Sequence, residues 1–378
     1  MKLKTSINLF FILLLLLNFQ IQTHAQNRAA VFPRLEPDPK AIEYYRLGRQ
    51  AGGYTWQQLA EISLWASGDT AASNLGRITA AAESLKNSPE LPASGRERAA
   101  FVLTFLHRNI LRSYSIYQTR VDTVFTNGRF NCVSSAVLYM ILCKSLGIEA
   151  SGVITKDHAF VTVHIGAENI DVETTNAYGF EPGNRTEFHD QFGRLTGFAY
   201  VPAQNYRDRK TISQIELVSL ILNNRVADHE RQNRFAQAVP VAIDRAALIF
   251  GESLTYDAAA DEAPSLFNNP KKDLMDRLFN YGTMLLRAGR EEEGLLWAQA
   301  ASSRYPDNLR WQEFIYTAVN NHIARLIREN KITDTRIFLE NNKNNLSQEN
   351  YNHLDSLLTD TEVFRSRTHP ERSPGRVP

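Results

Sequence analysis

The chain has 378 residues, 43% apolar and 22% charged, a composition that excludes a disordered or fibrous protein and allows several hydrophobic cores. Lys and Arg number 42 against 41 Asp and Glu, so a strongly basic nucleic-acid binder and a polyacidic tail are also excluded. Two cysteines can build neither a disulfide scaffold nor a Cys-rich zinc site.

Residues 1–25 read as a signal peptide. Lys2 and Lys4 give a positive start, Ile7 to Phe19 is largely apolar, and Thr23-His24-Ala25 offers small residues at the positions flanking a cleavage site. The apolar stretch is short for a membrane span and a polar segment follows it at once. Cleavage after Ala25 removes two lysines and takes the net charge from +1 to −1. The expectation is an exported, soluble protein, periplasmic or secreted, without a membrane span after cleavage.

Residues 26–112 form an N-terminal helical region behind a Pro-rich leader that ends near Lys40. Thr55 and Gln58 form a capping box ahead of Leu59, Ile62 and Trp65 at helical spacing, and Gly68 stops the run. Two further helices are predicted over Arg77–Leu85 and Gly95–Leu111.

The character changes over residues 113–206. A helix from Cys132 to Leu146 is apolar on more than one face and ends at Gly147. Strand-like runs follow at Gly152–Thr155, Ala159–Ile165 and Ile170–Thr174, and then an aromatic-rich loop from Asn176 to Tyr206. Residues 207–362 return to helical periodicity. Gly282, Gly294, Ala298, Ala301 and Pro306, with Leu278, Tyr281 and Leu285, have the spacing of one 34-residue tetratricopeptide-like unit among degenerate neighbours. Residues 363–378 are expected to be a disordered tail.

The chemistry concentrates in three short stretches. Asn131 is a good helix N-cap and puts Cys132 in the first turn, where free N–H groups and the helix dipole stabilise a thiolate. Cys143, 11 positions on and about 16 Å along the axis, cannot bridge to it and reads as core. On the next strand, alternation places His158, Phe160, Thr162 and His164 on one face. Asp171 and Glu173 share a face of the strand after that. A nucleophilic cysteine needs an imidazole to take its proton and an acid to orient the imidazole. All three residue types occur in order within 42 residues.

These motifs together resemble the transglutaminase-like, papain-like-fold cysteine peptidases: Gly128 to Cys132, Gly147, His158 to Val161 and Val172 to Thr175. The resemblance covers about a quarter of the chain. It implies an α+β fold, with a buried Cys-bearing helix on an antiparallel sheet, all-α material before it and helical repeats after it. It also implies Cys132 as nucleophile and His158 as base. Motif register favours Glu173 as the orienting acid, with Asp171 the alternative and His164 a weaker alternative base. The Cys132 N–H is one oxyanion donor and Asn127 a weak choice for the second.

The implied function is a thiol hydrolase acting on a peptide or protein through an acyl-enzyme. Transfer to an amine, giving an isopeptide crosslink, uses the same groups. A catalytically idle scaffold, binding a protein partner on the helical repeats, belongs to another class. No cofactor is called for, and the spacing of His158, His164 and the acids does not demand a metal. Nucleic acid is not an expected partner. Tyr178 and Phe180 are expected to line the substrate cleft, because the loop that carries them leaves the acid-bearing strand directly.

Overall fold

The computed structural model describes residues 32–50, 52–69, 71–183, 193–194, 209–255 and 269–368. The signal-peptide reading, most of the aromatic loop and residues 369–378 lie outside these. Four helices come first: α1 (Pro39–Gly48), α2 (Trp56–Ser67), α3 (Ala72–Lys86) and α4 (Gly95–Asn109). The Thr55–Gln58 capping box starts α2, and Gly68 ends it in the left-handed conformation. A two-residue strand, β1 (Ser113–Tyr114), a short helix, α5 (Val121–Asn127), and a second two-residue strand, β2 (Arg129–Phe130), lead into α6 (Cys132–Ser145).

A four-stranded antiparallel sheet follows, made of β3 (Glu149–Ile154), β4 (Ala159–Ile165), β5 (Glu168–Val172) and β6 (Lys210–Ile212), in the order β5-β4-β3-β6. Seven helices complete the described chain: α7 (Gln214–Arg231), α8 (Phe235–Phe250), α9 (Pro270–Arg287), α10 (Glu291–Arg304), α11 (Asn308–Arg328), α12 (Ile332–Asn341) and α13 (Gln348–Thr368). Each packs on its sequence neighbour, and α7 also packs on α2, α6 and β3.

The expected fold class is corrected here. Helices hold about 65% of the described residues and strands 9%. The protein is a helical assembly with a small sheet embedded in it, not an α+β protein built on a papain-like core. The physical reason lies in α6. Every residue from Val133 to Cys143 is buried, because helices α2, α4 and α7 cover this helix as well as the sheet. An all-round apolar helix reports only that it is enclosed, not by what.

Helices α9 and α10 form a hairpin around the small residues noted in the sequence. A Cβ on Gly282 would lie 2.6 Å from Phe314, and one on Gly294 would lie 2.7 Å from Leu286. Trp297 Nε1 donates to the Leu278 carbonyl at 2.9 Å and ties the pair together. The last helix reaches Thr368, into residues expected to be disordered, and Arg365 Nη2 anchors it to the Ile327 carbonyl at 2.8 Å. Among the described residues no helix is long and apolar enough to cross a membrane.

Candidate active site

Asn131 builds the nucleophile's setting. Its Oδ1 accepts from the N–H groups of Val133 (3.1 Å) and Ser134 (3.0 Å), while its own N–H donates to Ser134 Oγ at 3.0 Å. This reciprocal cap starts α6 at Cys132, so the thiol sits at the positive end of the helix dipole. Cys132 is partly exposed and Cys143 is buried.

His158 occupies the connection between β3 and β4, where its carbonyl accepts from the Thr155 N–H at 2.9 Å. Its imidazole is in hydrogen-bond contact with Cys132. On its other side Nε2–H donates to Glu173 Oε2 at 2.6 Å, which leaves Nδ1 for the thiol. The side chains of His158 and Glu173 are only 11% and 3% exposed, so water screens their interaction weakly.

Glu173 is fixed from its other oxygen. Oε1 accepts from the Thr175 N–H at 3.1 Å and from the Thr175 hydroxyl at 2.7 Å. The next residue, Thr174, shares a hydrogen bond with Ser135 on α6 at 2.8 Å, and its carbonyl receives His107 Nε2 at 3.0 Å. The acid-bearing segment is thereby tied to the helix that carries the cysteine. Thr175 was part of the sequence motif but was given no role there, and its hydrogen bonds to Glu173 appear only in the structure.

Electrostatics follow from this geometry. Burial by itself pushes the His158 imidazole down. The Glu173 carboxylate and the hydrogen bonds with Cys132 and Glu173 outweigh burial, and the net direction is well up. Burial pushes the Cys143 thiol up to about 12, against a weaker opposite effect of Tyr139. Cys143 is enclosed and held as the thiol, whereas Cys132 is partly exposed at the cleft.

The other sequence-predicted positions lie elsewhere. Asp171 does not reach His158. Its carboxylate receives both terminal nitrogens of Arg209 at 2.6 Å and the Thr162 hydroxyl at 2.6 Å. The reason is position along the hairpin: Asp171 pairs with Thr162, four residues along the chain from His158, whereas Glu173 lies beyond the end of β5, towards the His158 end of β4. His164 bonds Ser151 (2.9 Å) and Asn169 (2.6 Å) at an exposed site on the sheet. Asn127 Oδ1 accepts from the Arg129 N–H at 2.8 Å, closing the turn before β2, and Asn127 is not among the residues that line the cleft.

That cleft, of about 530 Å³, has Cys132 and His158 on one wall. Tyr114 to Thr119 and the β3–β4 connection form its sides, and Asn224 and Arg231 of α7, Arg245 of α8 and Arg277 of α9 face them. Tyr178 and Phe180 do not line it, which corrects the expectation for them. Tyr178 is 69% exposed in a separate depression with His107 and Arg112. Phe180 bridges to Val172 on β5, with the Arg96 guanidinium over its ring. The opposite wall comes instead from helices far along the chain, which no local pattern announces. Among the described residues no cluster of His, Cys, Asp and Glu is arranged to hold a metal.

No family model matches this chain, and no curated protein is significantly similar to it. Among solved structures, a crystal structure of menin, described as revealing the binding site for Mixed Lineage Leukemia (MLL) protein, aligns over 92% of this chain and 86% of its own. Its TM-score is 0.35 and its identity 14%. That level of likeness shows neither a family nor a shared function. The resemblance to transglutaminase-like peptidases followed by tetratricopeptide-like repeats is therefore withdrawn. Its motifs describe local arrangements, a capped helix and a hairpin, and the mainly helical chain around them does not carry the family.

Proposed function

We propose that this protein is a cysteine hydrolase that cleaves an amide or peptide bond through an acyl-enzyme, with Cys132 as nucleophile, His158 as base and acid, and Glu173 as the orienting carboxylate. One observation carries the reading: a helix-terminal thiol in hydrogen-bond contact with an imidazole whose Nε2 donates to a buried carboxylate at 2.6 Å. This is the nucleophile–base–orienter arrangement that acyl transfer needs. The cleft in front of it has room for a short peptide segment. The leader-like residues 1–25 support an exported location.

In this reaction the sulfur adds to the substrate carbonyl, and the His158 imidazolium gives its proton to the departing amine. Water then attacks the thioester, giving a proton to His158, and the acid leaves as Cys132 is restored. The test is a peptide-library hydrolysis screen with wild type, Cys132→Ala and His158→Ala. Cleavage lost in both variants supports the reading, and cleavage that survives Cys132→Ala removes it. Adding a primary amine to the same assay shows whether water or an amine resolves the acyl-enzyme.

A further inference from the structure

The tetrahedral intermediate formed at Cys132 carries an oxyanion, which needs preorganised donors. The Cys132 N–H is one of them. A second must line the cleft, lie close to the sulfur and have its donor uncommitted. Most polar side chains around the thiol fail that last condition. Asn131 spends its Oδ1 on the helix cap, and its Nδ2 donates to the Ile116 carbonyl at 3.2 Å. Asn224 Nδ2 is spent on the Thr119 hydroxyl oxygen at 3.1 Å, and the Thr155 hydroxyl faces the His158 carbonyl at 3.5 Å. Tyr117, with the Arg231 guanidinium over its ring, is 69% exposed, so its hydroxyl is open to water and not preorganised.

Tyr114 meets the condition. It pairs in register with Phe130 in the parallel β1–β2 ladder, and the Ser115 N–H donates to the Phe130 carbonyl at 2.7 Å. This holds it two residues upstream of the nucleophile in space. Its ring meets Phe130 edge-on at 6.0 Å and lines the cleft with Cys132 and His158. Among the described residues its hydroxyl has no hydrogen-bond partner. We propose that the Tyr114 hydroxyl is the second oxyanion donor, a catalytic role that rests on the reading of Cys132 as nucleophile.

Burial first, and then the nearby Cys132 and Glu173, raise the Tyr114 phenol further above its usual range, so the group stays a donor at neutral pH. When the sulfur adds, the carbonyl π pair moves onto oxygen, and Tyr114 donates a hydrogen bond there without giving up its proton. The carbonyl re-forms as the leaving group departs with the His158 proton.

The test compares two reagents on the purified protein, with the modified residue identified by mass spectrometry. Acylation of Cys132 by p-nitrophenyl acetate passes through an oxyanion, whereas alkylation by iodoacetamide displaces iodide and does not. Tyr114→Phe is expected to slow acylation by about tenfold or more while alkylation stays within about twofold of wild type. Unchanged acylation overturns the proposal, and so does a parallel fall in both rates, which would mean that Tyr114 acts only on the thiolate or on folding. If wild-type Cys132 reacts with either reagent no faster than in the urea-unfolded chain, the nucleophile reading itself fails, and the proposal with it.

Discussion

His158 Nε2 and Glu173 Oε2 lie 2.6 Å apart at a place almost closed to water. Fourteen residues separate these two in sequence, and the β4–β5 hairpin folds that interval back on itself. The pair separates the two acids that sequence reasoning left open. Glu173→Gln should lower turnover of a cleaved peptide by on the order of 10²–10⁴, because the imidazolium loses its countercharge. Asp171→Asn should leave turnover within about twofold and cost about 1–3 kcal/mol of stability through the weakened Arg209 and Thr162 contacts. Measuring kcat/KM and urea unfolding on both variants checks this, and equal activity losses would contradict it.

The raised His158 pKa predicts a pH dependence of stability. The folded value lies above the unfolded one, about 6.5, so the charged form is favoured in the native state. The stabilisation is fully present below about pH 6.5 and is lost as pH rises through the folded pKa. His107, His229 and His322 shift the other way through burial, and they cancel in a difference against His158→Gln. The wild-type advantage over that variant should therefore shrink from pH 6 towards alkaline pH. An advantage that grows with pH would reverse the assignment.

The two thiols should differ sharply. At neutral pH iodoacetamide should modify Cys132 in the native protein and leave Cys143, which is enclosed and held as the thiol. Cys132→Ala should abolish acyl transfer with the fold intact. Cys143→Ala should keep activity and lose about 1 kcal/mol to the cavity it leaves. Peptide mapping after brief labelling, with thermal melts of both variants, reads this directly.

Gly179 controls the position of Glu173 through the backbone. The Glu173 N–H donates to the Gly179 carbonyl at 2.8 Å, and a Cβ on Gly179 would lie 1.9 Å from the Glu173 carbonyl oxygen. Gly179→Ala must therefore push the acid-bearing turn outward. We expect it to reduce Cys132 labelling by about tenfold or more, since the acid that orients His158 is displaced, whereas Tyr178→Ala next to it leaves labelling unchanged. Similar behaviour of the two variants would show that the turn does not position the acid.

The sequence alone determined what depends on neighbours along the chain. The Asn131 cap, the enclosed helix behind Cys132, the two helix-stop glycines at 68 and 147 and the β4–β5 turn are set by spacing, caps and side-chain parity, which act over a few residues. These were enough to nominate Cys132 and to bring His158, His164, Asp171 and Glu173 forward as its partners, whereas choosing His158 and ranking Glu173 above Asp171 rested on the motif register of the resemblance. They were not enough to name the fold. A capped apolar helix and a hairpin are compatible with many surroundings, and only the tertiary structure showed that helices enclose them. It also moved the cleft wall from Tyr178 and Phe180 to α7, α8 and α9, and it brought Tyr114 beside Cys132 through a two-residue ladder. Contacts of that range depend on where whole elements pack, and the hydrophobic effect that packs them is non-directional and leaves no local periodicity to read.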